Sequence, residues 1–270
     1  MRLGSGFVLR SVLNAVPILV LLVGAVAVAL GVVVLAVRVI RSLVPETREG
    51  FHAEISAPML GVVAALFGLL FAFVIIIAYE NFLEANADVS READSLASIV
   101  RDSGAFSEPD RDRVRGAVEA YARAVVDDEW ARMRDGTDST QASRALDEVF
   151  VALQSVEPTS PAETGFFDDS VRQLNDALDA RRDRLAAADG GLPFEMAALI
   201  LFSSFVIVGY AVLVGSPDLW FHVLGPAAIA IIIAFSLVVL LDLSYPFSGD
   251  FTVDPEPFET GVLAQFFEPG

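Results

Sequence analysis

The chain has 270 residues and no cysteine, and 54% of its residues are hydrophobic, with a mean hydropathy of +0.58. Soluble globular chains are about 45–50% apolar, so the excess indicates segments that lie in a membrane. Acidic residues number 36 against 18 arginines, and lysine is absent. This composition excludes a soluble enzyme, a disulfide-stabilised secreted domain and a nucleic-acid-binding protein, because so acidic a surface repels phosphate.

Most of the apolar residues lie in four blocks without charged side chains: Ser11–Val37, Ile55–Tyr79, Met196–Pro217 and Leu219–Leu241. Each block reaches the roughly 20 residues that a helix needs to cross about 30 Å of hydrocarbon. The first block is too long for the core of a cleaved signal peptide, which has about 7–15 residues. The sequence therefore predicts four transmembrane helices, and the first of them is retained.

Prolines mark the starts of the first two spans. We expect the first helix to cover Val12–Val37, with Pro17 in its early turns, and the second to open at Pro58. A missing amide hydrogen does no harm in a first helical turn. Small residues then recur every three to four positions of the second span, which predicts close packing against another helix. They are Gly61, Ala65, Gly68 and Ala72.

The second span has no stop signal at its polar end. Neither Gly nor Pro occurs between Tyr79 and Arg101, so we predict one helix that leaves the bilayer and ends near Gly104. Serine N-caps, prolines in first turns and apolar stripes predict three further helices, and nothing alternates with the period of a strand. They run from Ser107 to about Arg134, from Ser139 to about Val156 and from Ser160 to about Ala188.

These elements define the predicted architecture. We expect an all-α membrane protein in which a helical-bundle domain is inserted between spans two and three. The expected segments are residues 1–79 with spans one and two, 80–192 as the soluble domain, 193–244 with spans three and four, and 245–270 as an acidic, proline-containing tail. The tail has no basic residue, and we expect it to be extended and to lie against the protein.

An even number of spans puts both termini and the helical domain on one side of the membrane. The arginines near membrane boundaries are Arg2, Arg10, Arg91, Arg181, Arg182 and Arg184 on that side, and Arg38, Arg41 and Arg48 on the other. Arginine and lysine are enriched on the cytoplasmic side of membrane proteins. The sequence therefore predicts a protein of the cell membrane with a cytoplasmic helical domain and cytoplasmic termini.

Several short motifs follow one another along the chain. They are Gly68-Leu69-Leu70-Phe71-Ala72-Phe73-Val74 with Glu80, Tyr121-Ala122-Arg123-Ala124-Val125-Val126 with Glu129-Trp130, Arg181-Arg182 with Arg184-Leu185 before Leu192-Pro193, and Tyr245-Pro246-Phe247-Ser248-Gly249-Asp250 with Pro257-Phe258. In this order and spacing they resemble the bestrophin-like family of prokaryotic membrane proteins. Ser244 departs from the Asp or Asn expected before the Pro-Phe pair, so a ligand role is not carried over to that position.

The family takes its name from bestrophins, the calcium-activated anion channels. Bestrophins have four spans and a helical cytosolic domain, and they assemble as pentamers around a Phe-lined neck. The resemblance thus implies an oligomeric ion channel whose pore is lined by the second span, at Phe67, Phe71 and Phe73. In the tail it marks a family motif that comprises Pro246, Phe247, Gly249, Asp250, Pro257 and Phe258.

Acidic residues follow the second span at four-residue spacing, at Glu80, Glu84, Asp88 and Glu92. Like charges on one helix face destabilise the helix unless cations neutralise them. The candidate partners, which approach the membrane from the same side, are Arg181, Arg182 and Arg184. In an oligomer, however, the carboxylates would form an electronegative vestibule that selects cations over anions. We therefore add Glu80, Glu84 and Asp88 to the predicted pore-lining residues.

The tail offers hard oxygen ligands of the kind that calcium prefers, at Asp250, Asp254 and Glu256. The alternative is a solvated acidic tail whose prolines and aromatic residues dock on the helical domain. Pro255 and Pro257 separate the acids, and the Gly-centred loop of an EF-hand is missing.

Two functions remain open on this sequence. One is a bestrophin-like ion channel, and the other is a non-conducting membrane scaffold whose helical domain binds a partner or lipid. We expect no enzymatic activity, because a catalytic triad, a Gly-rich phosphate loop and a redox motif are all missing from the sequence. The expected partners are the lipid bilayer, further copies of the chain and small ions, without nucleic acid.

Overall fold

The computed structural model describes residues 5–44 and 53–268, and every regular element in these ranges is helical. The α-helices are α1 (Ser5–Ala15), α2 (Ile18–Leu43), α3 (Ala53–Asp102), α4 (Glu108–Ala124), α5 (Trp130–Arg134), α6 (Thr140–Gln154), α7 (Pro161–Asp189), α8 (Phe194–Val214), α9 (Leu219–Leu243) and α10 (Glu256–Glu259). In the described part of the chain, four helical stretches are long and apolar enough to cross a membrane: Ile18–Leu43, Pro58–Ala105, Pro161–Val214 and Leu219–Leu243. The predicted all-α fold with four membrane-spanning helices is confirmed.

The chain divides into two compact units. The membrane unit comprises Ala15–Glu80 and Gly191–Ser244. The helical unit comprises Asn81–Gly190, Tyr245–Gly270 and the N-terminal segment that ends at Asn14. The start of the chain, the middle and the tail therefore fold together, although they are far apart in sequence.

The first span differs from the prediction of one helix over Val12–Val37. Helix α1 ends at Ala15, and α2 begins at Ile18. Pro17 is the N-cap of α2, with φ −54° and ψ 142°. The proline ring clashes with a helical conformation of the residue before it, so the helix breaks at this point.

Helix α3 is 50 residues long. Its unbroken course to Asp102 confirms the prediction that the second span continues as one long helix. The apolar span begins at Pro58, as predicted, but the helix that contains it begins earlier, at Ala53, so Pro58 lies inside the helix. A proline near the start of a membrane helix removes a single backbone hydrogen bond, which neighbouring groups can replace. The preceding loop around Arg48 and His52 lies outside the described residues.

Small apolar contacts hold the membrane unit together. Helix α2 packs mainly against α9, around the buried residues Val33, Val37, Val212, Ala227 and Ala230. A second cluster joins α3 to α8 and α9 at Val74, Ala78, Ile200 and Leu240. Alanines on α9 allow the backbones to approach closely, as small residues do in membrane helix pairs.

Among the described residues, no helix packs on the small-residue seam of the second span. Gly61, Ala65, Gly68 and Ala72 are all exposed. A methyl group added at Gly61 or Gly68 would meet no atom within 4 Å. The predicted close approach of another helix to this seam is therefore not made within residues 5–44 and 53–268.

The helices of the helical unit begin at the predicted serines. Ser107 accepts a hydrogen bond from the amide of Asp110, Ser139 from two first-turn amides, and Ser160 from the amide of Glu163. Such caps satisfy amides that have no partner within the helix. The predicted caps are confirmed, because the signal for each lies within four residues of chain.

The tail belongs to the core of the helical unit. Its residues Phe247, Val253, Phe258, Leu263 and Phe266 are all buried in one cluster with side chains of α3, α4, α6 and α7. The expected docking is confirmed, but the tail is not simply extended. It contains the short helix α10 and a 3₁₀ turn at Leu263–Phe266.

Candidate functional site

The phenylalanines predicted to line a pore lie on two different faces of α3. Phe67 and Phe71 are half-buried, and their rings stack with centroids 5.9 Å apart. Phe71 packs on the apolar cluster that α3 shares with α8 and α9. Phe73 is 58% exposed. Side chains two positions apart in a helix differ in direction by about 200°, so Phe73 points away from the packed face on which Phe71 lies.

The acidic residues predicted for the same pore also have different surroundings. Glu80 and Glu84 are exposed. Asp88 is buried, and one of its oxygens accepts a hydrogen bond from Arg91 at 2.7 Å. The charge of Asp88 is therefore partly neutralised within the chain.

Phe73, Glu80 and Glu84 share one exposed face of α3. Glu80 follows Phe73 by seven residues and Glu84 follows it by eleven, which correspond to about two and three helical turns. Of the six predicted pore-lining residues, these three are the exposed ones. We call them the exposed acidic face of α3.

Glu92, the last acid of the stripe, is fully buried and paired with arginine. Arg184 of α7 donates two hydrogen bonds to it, at 2.7 and 3.1 Å. The hydroxyl of Tyr121 donates a third at 2.5 Å. Of the three arginines proposed as partners, only Arg184 reaches the stripe.

The other two arginines have partners outside the stripe. Arg181 donates two hydrogen bonds to Glu129, at 2.6 and 3.2 Å, and another to Ser143 at 3.0 Å. Arg182 pairs with Asp179 on the surface. The interpretation that all three arginines neutralise the acidic stripe is therefore wrong for Arg181 and Arg182.

Arg184 joins the two buried carboxylates into one network, because it also donates to Glu129 at 2.8 Å. The charged network thus consists of two glutamates and two arginines, Glu92, Glu129, Arg181 and Arg184, with no net charge. Ion pairs that are excluded from water are retained only when their hydrogen bonds are satisfied. We call this set the buried charged network.

The buried charged network shifts the pKa values of Glu129 and of the neighbouring Tyr121. Burial alone raises the pKa of Glu129, but hydrogen bonds from Arg181 and the charge of Arg184 outweigh it, so this pKa lies below its usual range. Burial and the neighbouring Glu92 raise the pKa of Tyr121 well above its usual value. At neutral pH the glutamate is therefore ionised and the tyrosine is a hydrogen-bond donor.

A local irregularity of the helix coincides with Glu129. Residues Val125–Glu129 form a π-helical segment between α4 and α5. Such segments insert one residue into a helical course and change the direction of the side chains that follow. Glu129 was not predicted to pair with these arginines, because its spacing in the chain carries no sign of this insertion.

The tail covers the network with aromatic rings. Trp130 lies edge-on to Phe247 at 5.6 Å and to Phe258 at 6.3 Å between ring centroids. The guanidinium of Arg184 lies 5.5 Å from the Trp130 ring and 6.0 Å from the Phe258 ring. Cation–π contacts of this kind attach the tail to the charged network.

The remaining motif residues shape the tail. Pro246 and Gly249 are buried, Pro257 is half-buried and Asp250 is exposed. The amide of Val253 donates to the carbonyl of Pro246 at 2.8 Å and closes a turn. Gly249 has φ +87°, a conformation that side-chain-bearing residues rarely adopt.

The predicted calcium ligands do not come together in the chain. Asp250, Asp254 and Glu256 are all exposed. Within residues 5–44 and 53–268, no group of three or more His, Asp or Glu side chains is arranged to hold a metal ion. Calcium needs six to eight oxygen ligands. The described residues of one chain thus do not fit this ion.

Comparisons with known proteins agree with this architecture. A model of the bestrophin-like domain matches residues 24–258. No curated protein matches the sequence. The crystal structure of a bacterial bestrophin homologue from Klebsiella pneumoniae is similar in fold, with a TM-score of 0.64 over 92% of this chain and 99% of that chain, at 10% identity. Since the family model spans well over half of the chain, this protein belongs to the bestrophin-like family.

Proposed function

We propose that the protein forms a homo-oligomeric ion channel in the cell membrane, with the exposed acidic face of α3 directed toward the pore. Membership of the bestrophin-like family supports a channel. The chain alone has four spans with few polar side chains, so a conducting path requires several copies.

The observation that carries this proposal is the alignment of Phe73, Glu80 and Glu84 on a face that no other helix of the chain covers in the described residues. A ring of such faces would place a Phe constriction next to two rings of carboxylates. Acidic rings concentrate cations at a pore mouth. We therefore propose that potassium passes more readily than chloride.

Ion flux from liposomes tests the proposal. Purified protein is reconstituted, and potassium and chloride gradients are imposed separately, with and without calcium. The double variant Glu80→Gln/Glu84→Gln should retain flux but lose the preference for potassium, because the two rings of side chains at positions 80 and 84 no longer carry negative charge. The matched control is Asp147→Asn, which removes an exposed acid of α6 and should keep the preference of the wild type.

The oligomer is tested by the mass of the complex in detergent, corrected for bound detergent. If the protein is a monomer at all usable concentrations, the proposed pore cannot form. Absence of flux for both ions, in a folded and oligomeric preparation, would favour the alternative of a non-conducting scaffold that binds a partner or lipid. If chloride passes and potassium does not, the proposed cation preference of the acidic face is wrong, but the proposal of a channel stands.

A further inference from the structure

The N-terminal helix α1 is attached to the first residues of the tail, which we call the tail turn (Tyr245–Gly249). Tyr245, Phe247 and Ser248 are each no more than 6% exposed. The α1 side chains Arg10 and Leu13 are also buried. This contact lies within the helical unit and joins the beginning of the chain to its end.

Arg10 is a buried cation between the tail turn and the end of α7. Its side chain is 8% exposed, and its guanidinium lies 5.5 Å from the centre of the Tyr245 ring. It donates to the backbone carbonyl of Asp189 and lies 3.4 Å from the carboxylate of the same residue. Gly136 leaves the room for it, because a methyl group at this glycine would overlap the guanidinium.

Asn14 links the tail turn to the end of α5. Its side-chain oxygen accepts a hydrogen bond from the Gly249 amide at 3.2 Å, and its side-chain nitrogen donates to the Arg134 carbonyl at 2.9 Å. The hydroxyl of Ser248 donates to the same carbonyl at 2.8 Å. A single amide side chain thus satisfies one donor and one acceptor of the backbone.

These contacts hold the tail turn through side chains of the chain itself. The three predicted ligands Asp250, Asp254 and Glu256 are exposed just beyond the turn, and no group of three or more His, Asp or Glu side chains in the described residues could hold a metal ion. A divalent cation bound at the turn would also lie near a buried guanidinium, and like charges repel strongly where water is excluded. We propose that the side chains of Arg10 and Asn14 fasten the tail turn to the helical unit, and that this fastening needs no calcium. The inference does not depend on ion conduction.

Hydrogen exchange of the purified full-length protein tests the inference, with peptides that cover residues 245–258. We expect equal exchange in calcium and in a chelator. Asn14→Ala should speed exchange of the Gly249 amide roughly tenfold, because this amide loses its acceptor. Asn14→Asp keeps an acceptor oxygen, so it should leave the Gly249 amide protected and distinguish a lost bond from general unfolding.

Arg10 is tested in the same assay. Arg10→Ala should speed exchange across residues 245–258 several-fold, and Arg10→Lys should have an intermediate effect, because lysine keeps the charge but not the planar group. Arg182→Ala is the control, since this arginine pairs with the exposed Asp179 on α7. Slower exchange of the tail turn in calcium than in chelator, abolished by Asp250→Asn, would overturn the inference, as would wild-type exchange in both Asn14→Ala and Arg10→Ala.

Gly136 provides an independent check on the position of Arg10. Gly136→Ala strains a backbone with φ +71° and also overlaps the guanidinium. The strain is the same whether Arg10 is present or not, but the overlap disappears in the Arg10→Ala background. The increase in exchange caused by Gly136→Ala should therefore be smaller in that background than in the wild type. Equal increases in both backgrounds would contradict the proposed position of Arg10.

Discussion

Glu129 depends on two arginines that lie more than 50 positions away in the sequence. It is fully buried, and its two oxygens accept hydrogen bonds from Arg181 and Arg184. Removing one charge from a buried network leaves the others without full compensation, and such changes cost about 3–5 kcal/mol. The residue therefore contributes to stability through its charge, and pH should alter that contribution.

We expect Glu129→Gln to lower the free energy of unfolding by about 3–5 kcal/mol at neutral pH. The pKa of Glu129 is lower in the folded protein than its ordinary value of 4.5. The stabilisation is thus fully present above about pH 4.5 and is lost as the pH falls through the folded pKa. Unfolding measured in detergent across a pH series should show the difference between variant and wild type shrinking below this pH.

The control for this prediction is Asp179→Asn. Asp179 pairs with Arg182, and both side chains are about 70% exposed. Exposed substitutions change stability by no more than about 0.5 kcal/mol. If Asp179→Asn lowered the free energy of unfolding as much as Glu129→Gln does, burial of the network would not be the cause of the loss.

In the arginine-rich stretch of α7, the position of each residue on the helix determines whether its side chain is buried and which acid it pairs with. Arg181, Arg182 and Arg184 are close in sequence, and all three were candidates for the acidic stripe of α3. Arg181 and Arg184 lie three positions apart, so they share the buried side of the helix, whereas Arg182 lies on the exposed side. Composition alone therefore predicted the need for positive partners but not the pairing.

At the scale of elements, the serine caps differ in how deeply they are buried. The side chain of Ser139 accepts hydrogen bonds from the amides of Gln141 and Ala142, both at 3.1 Å, and donates to Asp128. Ser160 accepts only from the amide of Glu163, at 3.2 Å. Ser139 is completely buried, whereas Ser160 is partly exposed.

We expect Ser139→Ala to cost about 2 kcal/mol of unfolding free energy and Ser160→Ala about 1 kcal/mol. The physical reason is that water can replace the lost bond at the exposed cap but not at the buried one. Chemical unfolding of both variants and of the wild type measures the difference. A larger loss at Ser160→Ala than at Ser139→Ala would contradict this ranking.

Helix α3 is the element that relates the sequence most directly to the proposed function. Its length followed from an uninterrupted sequence of helix-forming residues, so it was predictable. Its exposed face was not, because the three phenylalanines look equivalent in the sequence. Packing of Phe71 on the apolar cluster that α3 shares with α8 and α9 distinguishes it from Phe73.

At the scale of the whole molecule, the orientation in the membrane remains a prediction. The arginine distribution predicts that the helical unit is cytoplasmic. The chain has no cysteine, so any introduced cysteine is unique. We expect Ser42→Cys at the end of α2 to react with a membrane-impermeant thiol reagent on intact cells, and Asp147→Cys on α6 to react only after the cells are permeabilised.

The outcome that contradicts this orientation is labelling of both cysteines on intact cells. Reaction of Asp147→Cys alone on intact cells would show the opposite orientation. Both positions are exposed within their own units, so a failure to react after permeabilisation would show that burial in an oligomer covers the site. Denatured samples of each variant measure full labelling.

Local signals allowed the sequence by itself to determine four spans, the continuation of span two, and the serine-capped helices of the helical unit. Hydrocarbon thickness sets the length of a span, and caps and breaks act over a few residues. Only the tertiary structure decided the pairing of Arg184 with Glu92, the exposed face of α3, and the attachment of α1 to the tail turn. The two contacts join residues 92 and 235 positions apart, and the exposed face depends on which side of a helix is packed; neither is encoded in the local pattern.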